Sequence, residues 1–177
     1  MSNILQGLNI YLIGMMGSGK TTVGQELAQK LNYRFYDTDR IIEAVAKTPI
    51  AEIFQQRGEP YFRNLETKVL KELSVYTNSV ISTGGGIIGQ QINWSYLQYG
   101  LVIWLDVDVE ILQQRLANDE TRPLANKLES LLQTRRPLYA QADIAVTVKA
   151  EQSPSQISAQ IIETMPTVIK SQAKFGK

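Results

Sequence analysis

The chain is expected to fold as an α/β doubly wound P-loop NTPase domain, with a five-stranded parallel sheet flanked by helices. Three observations predict it. Short apolar runs with little polar alternation recur along the chain, the pattern of strands covered on both faces. Segments with apolar residues at helical spacing alternate with those runs. The first run passes directly into Gly14-Met-Met-Gly-Ser-Gly-Lys20-Thr21-Thr22, which fits G-x-x-x-x-G-K-[ST] at a strand-to-helix junction.

The first strand is Asn9-Ile-Tyr-Leu-Ile13, and Val23, Leu27 and Leu31 then mark a helix with one apolar stripe. The turn between them has the composition of a phosphate cradle. Gly14, Gly17 and Gly19 free the backbone to aim successive N–H groups at anionic oxygens, and the helix dipole adds to that field. Lys20 can reach the β- and γ-phosphates, and the Thr21 hydroxyl is placed to hold Mg²⁺. A bound nucleoside triphosphate follows from this motif in this context.

The second strand, residues 34–36, runs into Asp37-Thr-Asp39. Ligands gather beyond the carboxyl ends of parallel strands, so both carboxylates are expected near the phosphates. They could form a Mg²⁺ site, a substrate-hydroxyl site, or one of each; alternatively Asp39 caps a helix starting at Arg40 and Asp37 is a solvated loop residue. Residues 60–74 read as a helix, with Phe62, Leu65, Val69 and Leu73 on one face and Pro60 in its first turn. The third strand, residues 79–82, ends in Gly84-Gly85-Gly86, three costly glycines that imply backbone passing close to a ligand or a tight strand exit.

The fourth strand, residues 101–105, precedes Asp106 and looks like the apolar strand ending in a Mg²⁺-binding aspartate of many P-loop ATPases, so on pattern alone Asp106 competes with Asp37 for the metal. Residues 109–117 read as a helix. Arg122-Pro-Leu and Arg135-Arg136-Pro-Leu-Tyr139 flank a polar segment, an arrangement suited to a loop that closes over ATP and brings positive charge to the transferring group. Leu128, Leu131 and Leu132 begin another helical stripe. The fifth strand is residues 144–148, and residues 154–165 form the last helix with Ser153 as candidate N-cap.

Composition narrows the chemistry. The 177 residues suit one domain, and a net charge of +1 gives no sign of a nucleic-acid or membrane surface. With no cysteine and no histidine, thiolate chemistry, zinc-thiolate sites and the commonest general base are all excluded. Carboxylates, lysine, arginine, hydroxyls and a hard metal ion remain, which suits phosphoryl transfer. No run approaches the length of a membrane span, and Met1-Ser-Asn-Ile does not resemble a signal peptide, so a cytoplasmic location is expected.

The ordered set of Gly14 to Thr21, Asp37-Thr-Asp39, Gly58-Glu-Pro-Tyr-Phe-Arg63-Asn-Leu-Glu66, Gly84-Gly-Gly86, Arg122-Pro-Leu and Arg135-Arg-Pro-Leu-Tyr139 resembles the shikimate kinase family over nearly the whole chain. Asn93-Trp-Ser-Tyr with Val102-Ile-Trp-Leu-Asp-Val is most similar to its plant and cyanobacterial branch. The resemblance implies a kinase of the nucleoside-monophosphate-kinase type with a lid, transferring the γ-phosphoryl of ATP to the 3-hydroxyl of shikimate with Mg²⁺. It implies that Asp39 binds the ring hydroxyls, that Arg63 and Arg135 hold the shikimate carboxylate, and that Gly84, Gly85 and Gly86 give backbone contact. Asp37 matches the acidic residue near Mg²⁺, with Thr21 as the other metal residue. ATP falls to Gly17, Ser18, Gly19, Lys20, Thr21 and Thr22, to Arg115 and the lid residue Arg122, and to Gln152 and Pro154 near the base. Lys20, Asp39 and Arg122 are the expected catalytic residues, and Asp106 matches no ligand.

On this reading residues 1–166 are one kinase domain, with a substrate-binding helical region at about 37–74 and a lid at about 119–134. Residues 167–177 are expected to be a flexible tail, and a monomer is expected. The lid departs from the family pattern in being short, with thirteen positions from Arg122 to Arg135, and in reading Arg-Pro-Leu-Ala. Gluconate kinase on the same scaffold is one rival reading, and a nucleotide-binding module without catalysis is another.

Overall fold

Five strands, all parallel, form one sheet in the order β2-β3-β1-β4-β5. The computed structural model describes residues 7–117 and 127–175, with side chains to residue 168. The strands are β1 (Asn9–Ile13), β2 (Arg34–Asp37), β3 (Ser79–Ser82), β4 (Gly100–Val107) and β5 (Ile144–Val148). Seven described helices cover the sheet: α1 (Lys20–Leu31), α2 (Thr38–Ala46), α3 (Ile50–Ser74), α4 (Gln91–Leu97), α5 (Val109–Leu116), α6 (Leu128–Tyr139) and α7 (Pro154–Phe175).

Burial follows strand position. Central β1 and β3 are buried at every residue, whereas edge strand β5 alternates buried and exposed. That is why β1 and β3 show no apolar–polar alternation, their polar ends Asn9, Ser79 and Ser82 being buried too, while β5 carries Ala145 and Thr147 outward. β4 is longer than residues 101–105, extending through Asp106 to Val107, which pairs with Val148. The core joins Tyr11, Leu12 and Ile13 of β1 to Val23 and Leu27 of α1, Leu70 of α3 and Ile161 of α7. Gly24 lets α1 lie close to the sheet: a Cβ there would come within 2.6 Å of the Phe35 ring.

The helices differ from expectation at three places. α3 begins at Ile50, ten residues before Pro60, but breaks at Gly58 (φ 78°, ψ 168°). Pro60 therefore stands in the first turn of the second segment, where a missing N–H does no harm. α4 is an additional seven-residue helix. α7 runs on through Pro166 to Phe175, past the expected end at residue 165. Its start is a capping box: Ser153 Oγ accepts from the Gln156 N–H at 3.3 Å and Gln156 Oε1 accepts from the Ser153 N–H at 2.8 Å. Among the described residues no helix is long and apolar enough to cross a membrane.

β1 leads outward to β2 on one side, while the later β4 pairs on its other side. The carboxyl end of β1 is thus a topological switch point, where a crevice opens for ligands. β1, β2 and β3 all discharge their loops there.

Candidate active site

The phosphate loop, residues 14–19, connects β1 to α1. Gly14 has φ 142°, and a Cβ on it would lie 2.8 Å from the Leu105 carbonyl oxygen, so only glycine fits. Gly19 is the N-cap of α1 in the left-handed region and provides no side-chain cap. The first N–H groups of α1 are accordingly left for an anion. Lys20 is buried over this loop, its Nζ donating to the carbonyls of Gly14 at 2.9 Å and Met15 at 2.8 Å and to Ser18 Oγ at 3.3 Å. Thr22 Oγ1 donates to the Gly19 carbonyl at 3.0 Å.

The end of β2 meets this loop through hydrogen bonds. Thr21 Oγ1 donates to Asp37 Oδ2 at 2.7 Å. Asp37 Oδ1 accepts the backbone N–H groups of Asp39 at 3.1 Å and Arg40 at 3.3 Å, so Asp37 is the N-cap of α2. The alternative with Asp39 as cap and Asp37 solvated is therefore ruled out: the helix starts two residues earlier, at Thr38. Thr21 and Asp37 offer a hydroxyl and a carboxylate side by side at the phosphate loop. Two hard oxygens in that place fit a small divalent cation that takes its other ligands from phosphate and water.

A cluster of buried charge occupies the same cleft. Arg63, on the second segment of α3, donates from Nη1 to Glu66 and from Nε and Nη2 to Glu59 Oε1 at 3.1 and 2.7 Å. Arg135 on α6 is 8% exposed, and Glu66 is 1% exposed. Burial pushes the Glu66 carboxyl up to about 7; Arg63 opposes that shift, Asp39 adds to it and Arg135 opposes it. For Arg63 burial acts downward, but its two glutamates outweigh it and hold the guanidinium above its ordinary value.

The Gly84–Gly86 backbone is wedged among these groups. A Cβ at Gly84 would meet Glu66 Oε1 at 2.2 Å, and one at Gly86 would meet Arg63 Nη1 at 2.2 Å. The Gly84 N–H donates to the buried Thr38 hydroxyl at 3.0 Å, and the Gly85 carbonyl accepts from the Tyr139 hydroxyl. Tyr139 stacks on Trp104 at 5.8 Å, and burial pushes its hydroxyl up to about 12 against the charge and hydrogen bond of Arg135, so it remains a donor.

The cleft measures about 510 Å³. Gly17, Gly19, Lys20, Thr21 and Thr22 line it from the phosphate loop, and Asp37, Asp39, Arg63, Arg135 and Gly84 to Gly86 line the remainder. Ser18 is fully buried beneath the loop. Arg115 Nη1 reaches the loop from α5, donating to the Gly17 carbonyl at 3.1 Å. Gln152 and Pro154 sit apart from the cleft lining, in the β5–α7 turn and at the start of α7, with Gln152 Oε1 accepting from the Lys149 N–H at 2.8 Å. Arg122 lies outside the described residues.

Asp106 is also away from the cleft lining. It takes a two-point hydrogen bond from Arg136 Nη2, at 3.0 and 2.7 Å, and Arg136 in turn lies over the Trp104 ring at 5.5 Å. Burial holds the Asp106 carboxyl above its ordinary value, with Arg136 pulling the other way.

Sequence reasoning gave no role to Glu59, Glu66, Thr38 or Tyr139. All four fall within the quoted motifs, and a signal was present for Glu66 and Tyr139. Both are polar groups on the apolar faces of helices, in step with Phe62 and Val69 and with Leu128 and Leu132, where a polar side chain needs a partner.

Comparison with known proteins puts this arrangement among close relatives. The family model described as shikimate kinase matches residues 16–166. Shikimate kinase of Trichormus variabilis is 53% identical over 176 residues, covering 96% of this chain and 97% of the relative. That of Rippkaea orientalis is 51% identical, covering 98% and 96%. Among solved structures, shikimate kinase from Acinetobacter baumannii in complex with shikimate superposes with a TM-score of 0.86 at 38% identity, covering 94% of this chain and 98% of that one. A gluconokinase from Sinorhizobium meliloti shares the fold, with a TM-score of 0.59 at 15% identity, covering 97% and 98%.

Proposed function

This chain belongs to the shikimate kinase family, a family of kinases, and on that premise we propose that its cleft transfers the γ-phosphoryl group of ATP to the 3-hydroxyl of shikimate, with Mg²⁺. The observation that carries the reading is the convergence, in one cleft, of a phosphate-binding loop with a buried arginine, Arg135, a partly buried one, Arg63, and an aspartate. Shikimate is a small acid with hydroxyls on its ring. Its site needs cations for the carboxylate and acceptors for the hydroxyls, and guanidinium groups clamp a carboxylate with defined geometry where lysine would not.

Arg63 and Arg135 hold the carboxylate, the Gly84–Gly86 backbone packs against the ring, and Asp39 accepts a hydrogen bond from the 3-hydroxyl. In the transfer that oxygen forms a bond to the γ-phosphorus while the bond from phosphorus to the ADP oxygen breaks. Asp39 receives or orients the departing hydroxyl proton, the work histidine does elsewhere. Lys20 exchanges the Gly14 and Met15 carbonyls for phosphate oxygens, which it can do with little movement of the loop. Thr21 and Asp37 would hold Mg²⁺, which supplies charge neutralisation across the phosphates. Arg122 brings a further cation as the lid closes, and Arg115, Gln152 and Pro154 lie on the nucleotide side. Residues 37–74 are the substrate-binding region within a single kinase domain, and residues 119–134 the lid. The chain is a cytoplasmic monomer that needs no nucleic acid or membrane.

The test is ADP release in a coupled assay with shikimate, with gluconate and with neither. Release that depends on shikimate and yields shikimate 3-phosphate supports the reading. Release with gluconate alone would move the chain to the rival kinase, and no release with either acid would leave a nucleotide-binding module.

A further inference from the structure

At the centre of the charged cluster stands a carboxylate to which the proposed transfer assigns no task. Glu66 is 1% exposed. Its Oε2 accepts from Arg63 Nη1. Its Oε1 is buried and has no hydrogen-bond partner. That oxygen faces the Gly84 backbone, where a Cβ would stand 2.2 Å from it and 2.9 Å from Asp39 Oδ1. Two carboxylate oxygens therefore converge on one glycine. A buried carboxylate oxygen that lacks a donor and faces a second carboxylate favours the protonated acid.

Resting on the reading that Arg63 and Arg135 receive the substrate carboxylate, we propose that Glu66 is a positioning residue that takes up a proton from solvent as the substrate binds. Before binding, Arg63 already meets two carboxylates, Glu66 at Nη1 and Glu59 at Nε and Nη2. The incoming anion adds a third. A proton on Glu66 Oε1 removes one negative charge while the other oxygen continues to accept from Arg63, so the guanidinium keeps its place. The new O–H turns the unpartnered oxygen into a donor on the side of Asp39. The proton returns to solvent when the product leaves.

The surroundings are complete enough to fix the sign. Arg63 and Glu59 come from α3, Asp39 from α2, and Arg135 and the Tyr139 hydroxyl from α6; the β3 exit loop, residues 82–86, carries no titratable side chain. Glu66 is held up at about 7 by burial first, against Arg63. An added anion raises it further. The bound state then holds more protons than the free state, so affinity for the acid falls as pH rises above about 7, by a limiting factor of about ten per pH unit.

Calorimetric titration of shikimate into the protein at pH 7.5, in buffers of low and high ionisation enthalpy, measures the proton directly. We expect an uptake of about 0.3–0.8 proton per site, falling to near zero in Glu66→Gln. Binding heats in the wild type that do not depend on buffer would overturn the proposal, as would an uptake that persists in Glu66→Gln. Should that variant fail to fold, the wild-type Kd between pH 6.5 and 8.5 decides: a rise supports the proposal and a flat profile ends it. Arg63→Ala separates the two levels of the argument. If it leaves shikimate binding unchanged, the reading of the cleft and this proposal fall together; if it weakens binding while the wild type takes up no proton, this proposal alone falls.

Discussion

Three aspartates at strand ends look alike in sequence and differ entirely in environment. Asp37 caps α2 and accepts from Thr21, Asp39 lines the cleft beside Gly84, and Asp106 is tied to Arg136. Asparagine is as good an N-cap as aspartate, so Asp37→Asn isolates the charge: folding should be little changed while the Mg²⁺ concentration for half-maximal rate moves upward. Asp39→Asn should lower kcat by about 10²-fold or more, through loss of the anionic acceptor. Asp106→Asn loosens a half-exposed ion pair worth under about 1 kcal/mol and should leave kcat and Mg²⁺ response near wild type. Titration of Mg²⁺ and ATP across the three variants checks this, and a metal defect in Asp106→Asn with a normal Asp37→Asn would reverse the assignment. Glu66 makes a separate prediction about stability. Its folded pKa is raised from the ordinary 4.5 to about 7, so the unfolded chain gives up that proton first, and the stability tied to the group is lost as pH rises from about 4.5 to 7. Glu66→Gln does not titrate. The Tm of the variant relative to wild type should therefore climb between pH 5 and pH 8, by the equivalent of at most about 3 kcal/mol. Parallel Tm curves would show that Glu66 is ionised throughout.

At the scale of elements, the strands were the legible part of the chain. Each strand is a short segment bounded by turn residues, and every one is where the pattern placed it to within two residues. Helices were legible where a stripe was long, as in α1 and the second segment of α3. They were not where the pattern was short or interrupted. The first segment of α3 has few apolar positions before Gly58-Glu-Pro60 breaks the period, α4 has seven residues, and Pro166 reads as a stop although α7 continues past it. Glycines show how elements meet, and two of them separate fold from function. A Cβ at Gly86 would press on the Arg63 guanidinium at 2.2 to 2.5 Å, the far end of a flexible side chain. Gly86→Ala should displace that group and raise the KM for shikimate about tenfold, with a small change in Tm. A Cβ at Gly24 would press on the Phe35 ring at 2.6 Å and Leu12 at 3.2 Å, inside the α1–sheet contact. Gly24→Ala should cost about 1–3 kcal/mol of stability and leave both KM values alone. Thermal melts and steady-state kinetics on the pair check the division.

Across the whole molecule, the sheet order β2-β3-β1-β4-β5 brings together what the chain keeps far apart. Residues from the phosphate loop, α2, α3, the β3 exit and α6 share one cleft although they span positions 16 to 135. Local motifs made the phosphate loop legible from the residues alone. The carboxylate end was legible only through the family pattern, because nothing local in Arg63 or Arg135 distinguishes them from solvated arginines. Arg63 pairs with Glu59 and Glu66 four and three positions away on α3, a local spacing that the pattern of α3 contains, whereas the Tyr139 hydroxyl meets the Gly85 carbonyl only through tertiary proximity. The central claim is that one cleft has a nucleotide end and a carboxylate end. Its most direct test is the steady-state kinetics of Arg63→Ala and Arg135→Ala with shikimate and ATP varied separately. Losing one charge-assisted contact is worth about 1.5–3 kcal/mol, so each variant should raise the KM for shikimate by about ten- to hundredfold while the KM for ATP stays within about twofold. A KM for shikimate that barely moves while that for ATP climbs would contradict the account.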